Sequence, residues 1–246
     1  MGALPTLYQL QASHRCEAAR WILDAQARPY HVKSLLPGPH VAQLLALTRQ
    51  TQVPALVAPG SVRAGLREVA LGADTEGRLG VADALAEVEA LDAALGSPLE
   101  TVWLAAALSD PEYAATWLSL GRGPTRRFLY KQAFPAVRAA LQRLVRLDEP
   151  HVASCRLTID AGLERLASRS TDRLDFASIY AASCVSWLIP APLGPHRIQL
   201  MAPPAVQALQ AEWGEHPGVA WATRYYRAHR GVSMSENHEV QGSGVI

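Results

Sequence analysis

Up to about residue 80 the apolar residues fall into short runs, and beyond it they recur at helical spacing. The runs at 6–10, 30–33 and 55–57 are predicted strands, bounded by turn residues. The stretches 13–25 and 41–47 carry apolar positions three and four apart and are predicted helices. Strands alternating with helices imply an α/β unit whose sheet is partly parallel. Pro37-Gly38-Pro39 and Ala58-Pro59-Gly60 read as loops, and 60–65 as a continuation of the second. Further on, Val81, Leu85, Val88, Leu91 and Leu95 mark one amphipathic helix, which Gly96-Ser97-Pro98 interrupts or bends. Phe128, Leu129, Ala133, Val137, Leu141, Leu144 and Val145 mark another, and 152–168, 173–189, 203–213 and 217–229 read as more helices. No strand-like alternation follows residue 80, so the chain divides near 77–81 into a 1–80 α/β domain and an 81–232 all-helical domain. No internal repeat is visible, and the polar, glycine-containing tail 233–246 is expected to be disordered.

Composition narrows the function classes. The 246 residues are 49% hydrophobic with a net charge of +1, enough for a sizeable core and without the basic footprint of a nucleic-acid binder. Cys16, Cys155 and Cys184 are few and scattered, so a reducing, cytoplasmic setting without disulfides is expected. No Cys/His spacing suggests a metal. The start of the chain lacks a signal-peptide pattern, and the longest apolar stretch, 179–189, is too short to span a bilayer. Lysine occurs only at 33 and 131 and asparagine only at 237, a bias of a GC-rich genome with no bearing on function.

The candidate chemistry lies at 13–16 and 53–54. A strand that feeds a helix places Ser13 and Cys16 at the helix N-terminus, where unpaired N–H groups and the helix dipole favour a thiolate. Ser13 then either caps the helix or hydrogen-bonds a bound thiolate, and Cys16 is either a small core residue or the reactive thiol. His14 and Arg15 add positive charge beside them. Val53-Pro54 opens an apolar strand with a residue that cannot donate to the ladder, which requires an edge or a special backbone role.

These residues resemble a family. Ser13-x-x-Cys16 stands where thioredoxin-like proteins carry Cys-x-x-Cys, and Val53-Pro54 is similar to their cis-proline. Together with Leu7-Tyr8 and Ala19-Arg20-Trp21 they resemble the N-terminal half of the glutathione transferases. Leu174-Asp175-Phe176-Ala177, and His216-Pro217-Gly218-Val219 through Gly231, resemble the helical half and tail of bacterial members, so the likeness covers roughly residues 5–231. The resemblance implies a thioredoxin-like domain packed on an all-α bundle, a cytoplasmic homodimer, and glutathione as cosubstrate with no metal. It implies Ser13 or Cys16 as the catalytic group, and glutathione held at Val53, Pro54, Glu68 and Val69. Gln11, Tyr113, Trp117 and Arg122 would line the pocket for a small-molecule substrate. His14 replaces a common proline, and Val69 stands where a serine or threonine is usual. The aromatic and arginine cluster at 113–130 has an ordinary alternative as core plus solvated face, as do Tyr225, Tyr226, Arg227, His229 and Arg230 as helix end. Asp172 is predicted to cap a helix with Asp175 at its third position.

Three functions follow: glutathione transfer to a small apolar electrophile; glutathione-independent isomerase, cyclase or dehydratase chemistry in specialised bacterial metabolism; or non-catalytic ligand binding.

Overall fold

Leu7 and Gln9 face inward from β1 (Thr6–Gln9), and the strand lies between two partners. The computed structural model describes residues 3–189 and 200–231, with the backbone of Ser235 and Glu236. β1 runs parallel to β2 (Tyr30–Ser34), pairing Leu7 with Val32, and antiparallel to β3 (Ala55–Ala58), pairing Leu7 with Leu56. β3 folds back onto β4 (Ser61–Ala64), so the sheet order is β4-β3-β1-β2. The stretch 60–65, expected as loop, is therefore mostly strand. Four residues pairing along a hairpin carry too little alternation to register in the sequence.

The connection from β1 to β2 is α1 (His14–Ala25), as a parallel pair requires. It buries Ala18, Ala19, Trp21, Ile22 and Leu23, and each large apolar side chain among them contributes about 1.5–3 kcal/mol. The other helices of this thioredoxin-like domain are α2 (His40–Thr48) and α3 (Leu66–Ala73). The second follows Gly65, whose φ of 86° is open to glycine.

The remainder is mostly helical: α4 (Val81–Leu91), α5 (Ser97–Leu108), α6 (Pro111–Leu118), α7 (Pro124–Leu144), α8 (Glu149–Ala167), α9 (Phe176–Val185), α10 (Pro204–Trp213) and α11 (Pro217–His229). Gly96-Ser97-Pro98 does interrupt the long helix, as one π-helical turn, Asp92–Gly96, joining α4 to α5. α9 starts one turn later than expected. Asp175 is itself the N-cap, accepting from Ser178 N–H at 2.8 Å, and Asp172 instead accepts from the Ser170 hydroxyl at 2.9 Å. α9 then runs through the centre with all ten residues buried, and a 3-10 turn, Ser186–Leu188, follows it.

One core runs through both parts. Trp21 of α1 packs on Tyr226 of α11 at 4.6 Å and on Tyr225 at 5.7 Å between ring centroids. Arg230, buried just past α11, donates to Glu17 at 3.1 Å and to Asp24 at 2.8 Å, both on α1. The last helix is thus tied to the first by a buried charge cluster, and His229 Nε2 meets the Thr171 carbonyl at 2.6 Å. Most of the tail 233–246 lies outside the described residues. Ser235 and Glu236 form β5, which pairs parallel with Tyr30 and His31 at the edge of β2. Among the described residues no helix is long and apolar enough to cross a membrane.

Candidate functional site

Ser13 is the N-cap of α1. Its backbone is extended, at φ −86° and ψ 129°, and its hydroxyl accepts from Cys16 N–H at 3.4 Å. That long bond leaves hydroxyl lone pairs and the O–H itself open, and Ser13 lines a cavity of about 610 Å³. Cys16, one turn on, points inward and is 0% exposed. Burial pushes its thiol up, beyond what nearby Arg20 offsets, so it stays protonated and packed. The same helix start therefore offers one accessible oxygen and one enclosed sulfur.

The cavity lies between α2, α5, α6 and α7. Trp117, Trp187, Leu104, Val137 and Leu141 give it apolar walls, and Ser13, His40 and Glu100 give it polar points. Trp187 stands edge-on to both Trp117 and His14, each at 5.8 Å between centroids. Of the four residues expected to line the pocket, Trp117 does so. Gln11 accepts from Gln9 Nε2 at 2.6 Å and from Ser34 Oγ at 3.4 Å, and lies off the cavity wall. Arg122 is buried and donates to the Ser34 carbonyl, which makes it a strut between the two parts. Tyr113 packs half-buried against the main core.

A second cavity, of about 600 Å³, opens on the other side of α1. Val53 and Gln52, Gly65 to Arg67, and Arg15, Glu89 and Asp92 line it. The Val53–Pro54 bond is cis, as the sequence resemblance predicts. Glu68 and Val69 do not reach this space. Glu68 faces solvent and Val69 is 0% exposed in the core. α3 begins at Leu66, so the residues presented at its start are Gly65, Leu66 and Arg67. A count along the sequence misses this because β4 ends immediately before Gly65. The start of α3, Gly65 to Val69, carries no hydroxyl. The cavity offers guanidinium groups at Arg15 and Arg67, carboxylates at Glu89 and Asp92, and the Gln52 amide. That donor set fits a flexible zwitterion carrying both carboxylate and ammonium, and glutathione has that chemistry.

The two cavities meet at a charge cluster that the sequence did not reveal. Arg15 donates to both oxygens of Asp92, at 2.7 and 2.9 Å, and to Glu100 at 3.1 Å. Asp92 also accepts from Ser97 Oγ at 2.8 Å and from the Tyr180 hydroxyl, and lies 3.4 Å from His14 Nε2. Burial alone would raise the Asp92 carboxyl. The hydrogen bonds from His14 and Tyr180, the charge of Arg15 and the bond from Ser97 outweigh it and hold that carboxyl below the usual range. The π-helical turn makes this possible. A Cβ on Gly96 would stand 2.5 Å from Asp92 Oδ1 and 2.9 Å from both His14 Nε2 and the Tyr180 oxygen. No sequence signal joins residues 14, 92 and 180; only the Gly96-Ser97-Pro98 break marks the neighbourhood.

Comparison with known proteins bears on the fold. Residues 7–68 match the family profile of the glutathione S-transferase N-terminal domain. A glutathione S-transferase of Ceriporiopsis subvermispora, solved in complex with glutathione, superposes with a TM-score of 0.58. It is 15% identical, over 94% of this chain and 99% of that one. A glutathione transferase of Phanerochaete chrysosporium gives 0.59 at 13% identity, over 95% and 100%. A beta-etherase of Sphingobium gives 0.50 at 13% identity, over 90% and 99%. The chain has the fold of the glutathione S-transferases, a thioredoxin-like first domain followed by a helical remainder, and its residues 7–68 match the N-terminal domain of that family. No curated protein sequence matches it.

Proposed function

We propose that the protein is a glutathione-transferase-type enzyme that joins a thiol to an apolar electrophile. The thiol tripeptide occupies the charged cavity, its backbone pairing with Val53 beside Pro54 in the manner of an added strand. Arg15 and Arg67 receive its carboxylates, and Glu89 and Asp92 its ammonium group. The thiol loses its proton to solvent water, and Ser13 donates a hydrogen bond to the thiolate so formed, aided by the dipole of α1. The new C–S bond forms as the electrophile's leaving group departs, or as its activated double bond opens and takes up a proton. The electrophile sits in the apolar cavity, so that the two reactants meet at Ser13 and the reaction gains from proximity. The observation that carries this reading is the contrast at the start of α1: Ser13 opens onto the cavity while the Cys16 thiol is enclosed. Cys16 is accordingly read as core.

A second reading rests on the start of α3, where Gly65, Leu66 and Arg67 present no hydroxyl to the charged cavity. It keeps the scaffold and the apolar site but runs glutathione-independent chemistry. Calorimetric titration of the full chain with glutathione separates the two. Binding in the micromolar range, weakened by Arg67→Ala, supports transfer. Absence of heat at millimolar glutathione sinks it and leaves the second reading. By family resemblance the active species is a homodimer; a monomer mass in light scattering at micromolar concentration would remove that expectation.

A further inference from the structure

The apolar cavity carries information about charge and size as well as polarity. An apolar protein cavity of roughly 150 Å³ already holds benzene. A space of about 610 Å³ is far larger than a single-ring electrophile needs. It opens at Val41 and Leu144, 43% and 83% exposed, so a long ligand can extend over apolar side chains there. Trp117 and Trp187 stand at 81° to each other, and that arrangement offers a ring ligand both a face and an edge to pack against.

Charge is distributed one-sidedly. Among the described residues the wall holds one carboxylate, Glu100, and no lysine or arginine. Its other titratable group is His40, and burial lowers the imidazole's pKa and favours its neutral form. Arg15 does not cancel Glu100, because the same guanidinium is shared with Asp92. Two carboxylates and one guanidinium leave a net negative charge beside the cavity. An anionic ligand would face that charge without a partner, whereas tryptophan faces accept neutral or cationic rings.

We infer that the cavity selects molecules of several rings that carry no negative charge, and that Glu100 sets this charge selection. As a statement about substrate it rests on the proposed reaction; as a statement about binding it stands alone. The test uses two fluorescent probes with the same rings: uncharged N-phenyl-1-naphthylamine and its sulfonate, 8-anilino-1-naphthalenesulfonate. Each is titrated into the full-length protein without any thiol. The neutral probe should bind tighter. Glu100→Gln should shrink the ratio of the two dissociation constants about three- to fivefold, the effect expected of one half-exposed charge. Ala140→Trp fills an exposed wall position and should weaken both probes, which fixes their location. A tighter sulfonate, an unchanged ratio in Glu100→Gln, or indifference to Ala140→Trp would each overturn the inference. Failure of glutathione to bind would leave these titrations unaffected, so the two ideas fall separately.

Discussion

At the residue scale, the start of α1 separates two chemistries only three residues apart. In the proposed reaction, removing the Ser13 hydroxyl deletes a hydrogen bond to a charged sulfur, worth about 1.5–3 kcal/mol. Ser13→Ala should therefore lower kcat/KM for thiol addition by about one to two orders of magnitude. The same change removes a helix cap, so a loss of stability on the order of 1 kcal/mol, seen as a lower Tm, accompanies it. Ser13→Gly, which costs the cap little, should show the rate loss with less of the stability loss. Cys16→Ala should keep its rate per folded molecule and lose stability alone; a dead but fully folded Cys16→Ala would return the chemistry to the sulfur. Val69→Ser buries a hydroxyl in the core beneath α3. We expect it to lower the unfolding free energy by about 1–3 kcal/mol, read from the denaturation midpoint, and to leave thiol affinity unimproved, because Val69 does not face the cavity.

At the scale of elements, the π-helical turn between α4 and α5 sets how closely α1 and α9 approach. Gly96→Ala places a methyl group within contact-breaking distance of Asp92, His14 and Tyr180 together. It should destabilise the chain and loosen the first turn of α1, seen as faster amide exchange at Cys16 and Glu17. Asp92 also gives the fold an acid sensitivity with a definite sign. Its folded carboxyl titrates below its unfolded value, so its contribution is present above about pH 4 and is lost as pH falls through the folded value. Asp92→Asn should be less stable than the parent at neutral pH, and the difference should shrink as urea titrations are repeated below about pH 4. A gap that stays constant with pH would show that the carboxylate's charge is not what Asp92 contributes.

At the scale of the whole molecule, the chain closes on itself through Arg230. Its guanidinium, 1% exposed, lies over the Trp21 ring at 5.5 Å and binds Glu17 and Asp24. Arg230→Met leaves Asp24, 3% exposed, without its cation, while Glu17 keeps Arg20 at 2.6 Å. A loss of about 3–5 kcal/mol in a denaturant titration is expected, in one cooperative transition because the core is continuous. Two separate transitions would mean that the first domain and the helical remainder fold independently of this clamp.

The strands β1, β2 and β3, the helix α1 and most of the later helices were legible in the sequence, because each declares itself by local periodicity over many residues. The Ser13 cap is one of two readings that neighbouring residues allow, whereas the cis bond at Val53–Pro54 is expected from the family resemblance, the residues themselves allowing an ordinary edge proline as well. β4 is too short for its alternation to show, and the start of α9 is ambiguous in the sequence because Asp172 and Asp175 are equally good caps by composition. What lay beyond the sequence has one physical character. Which of Gly65 to Val69 faces a cavity depends on where a four-residue strand ends. That Arg122 is a strut, and that Arg15 is shared by Asp92 and Glu100, depends on side chains some eighty residues apart meeting across packed helices. Periodicity along a chain decides which face of an element is apolar. Only the closing of those faces on one another decides which polar groups are left to meet, and here that meeting built both cavities and the charge between them.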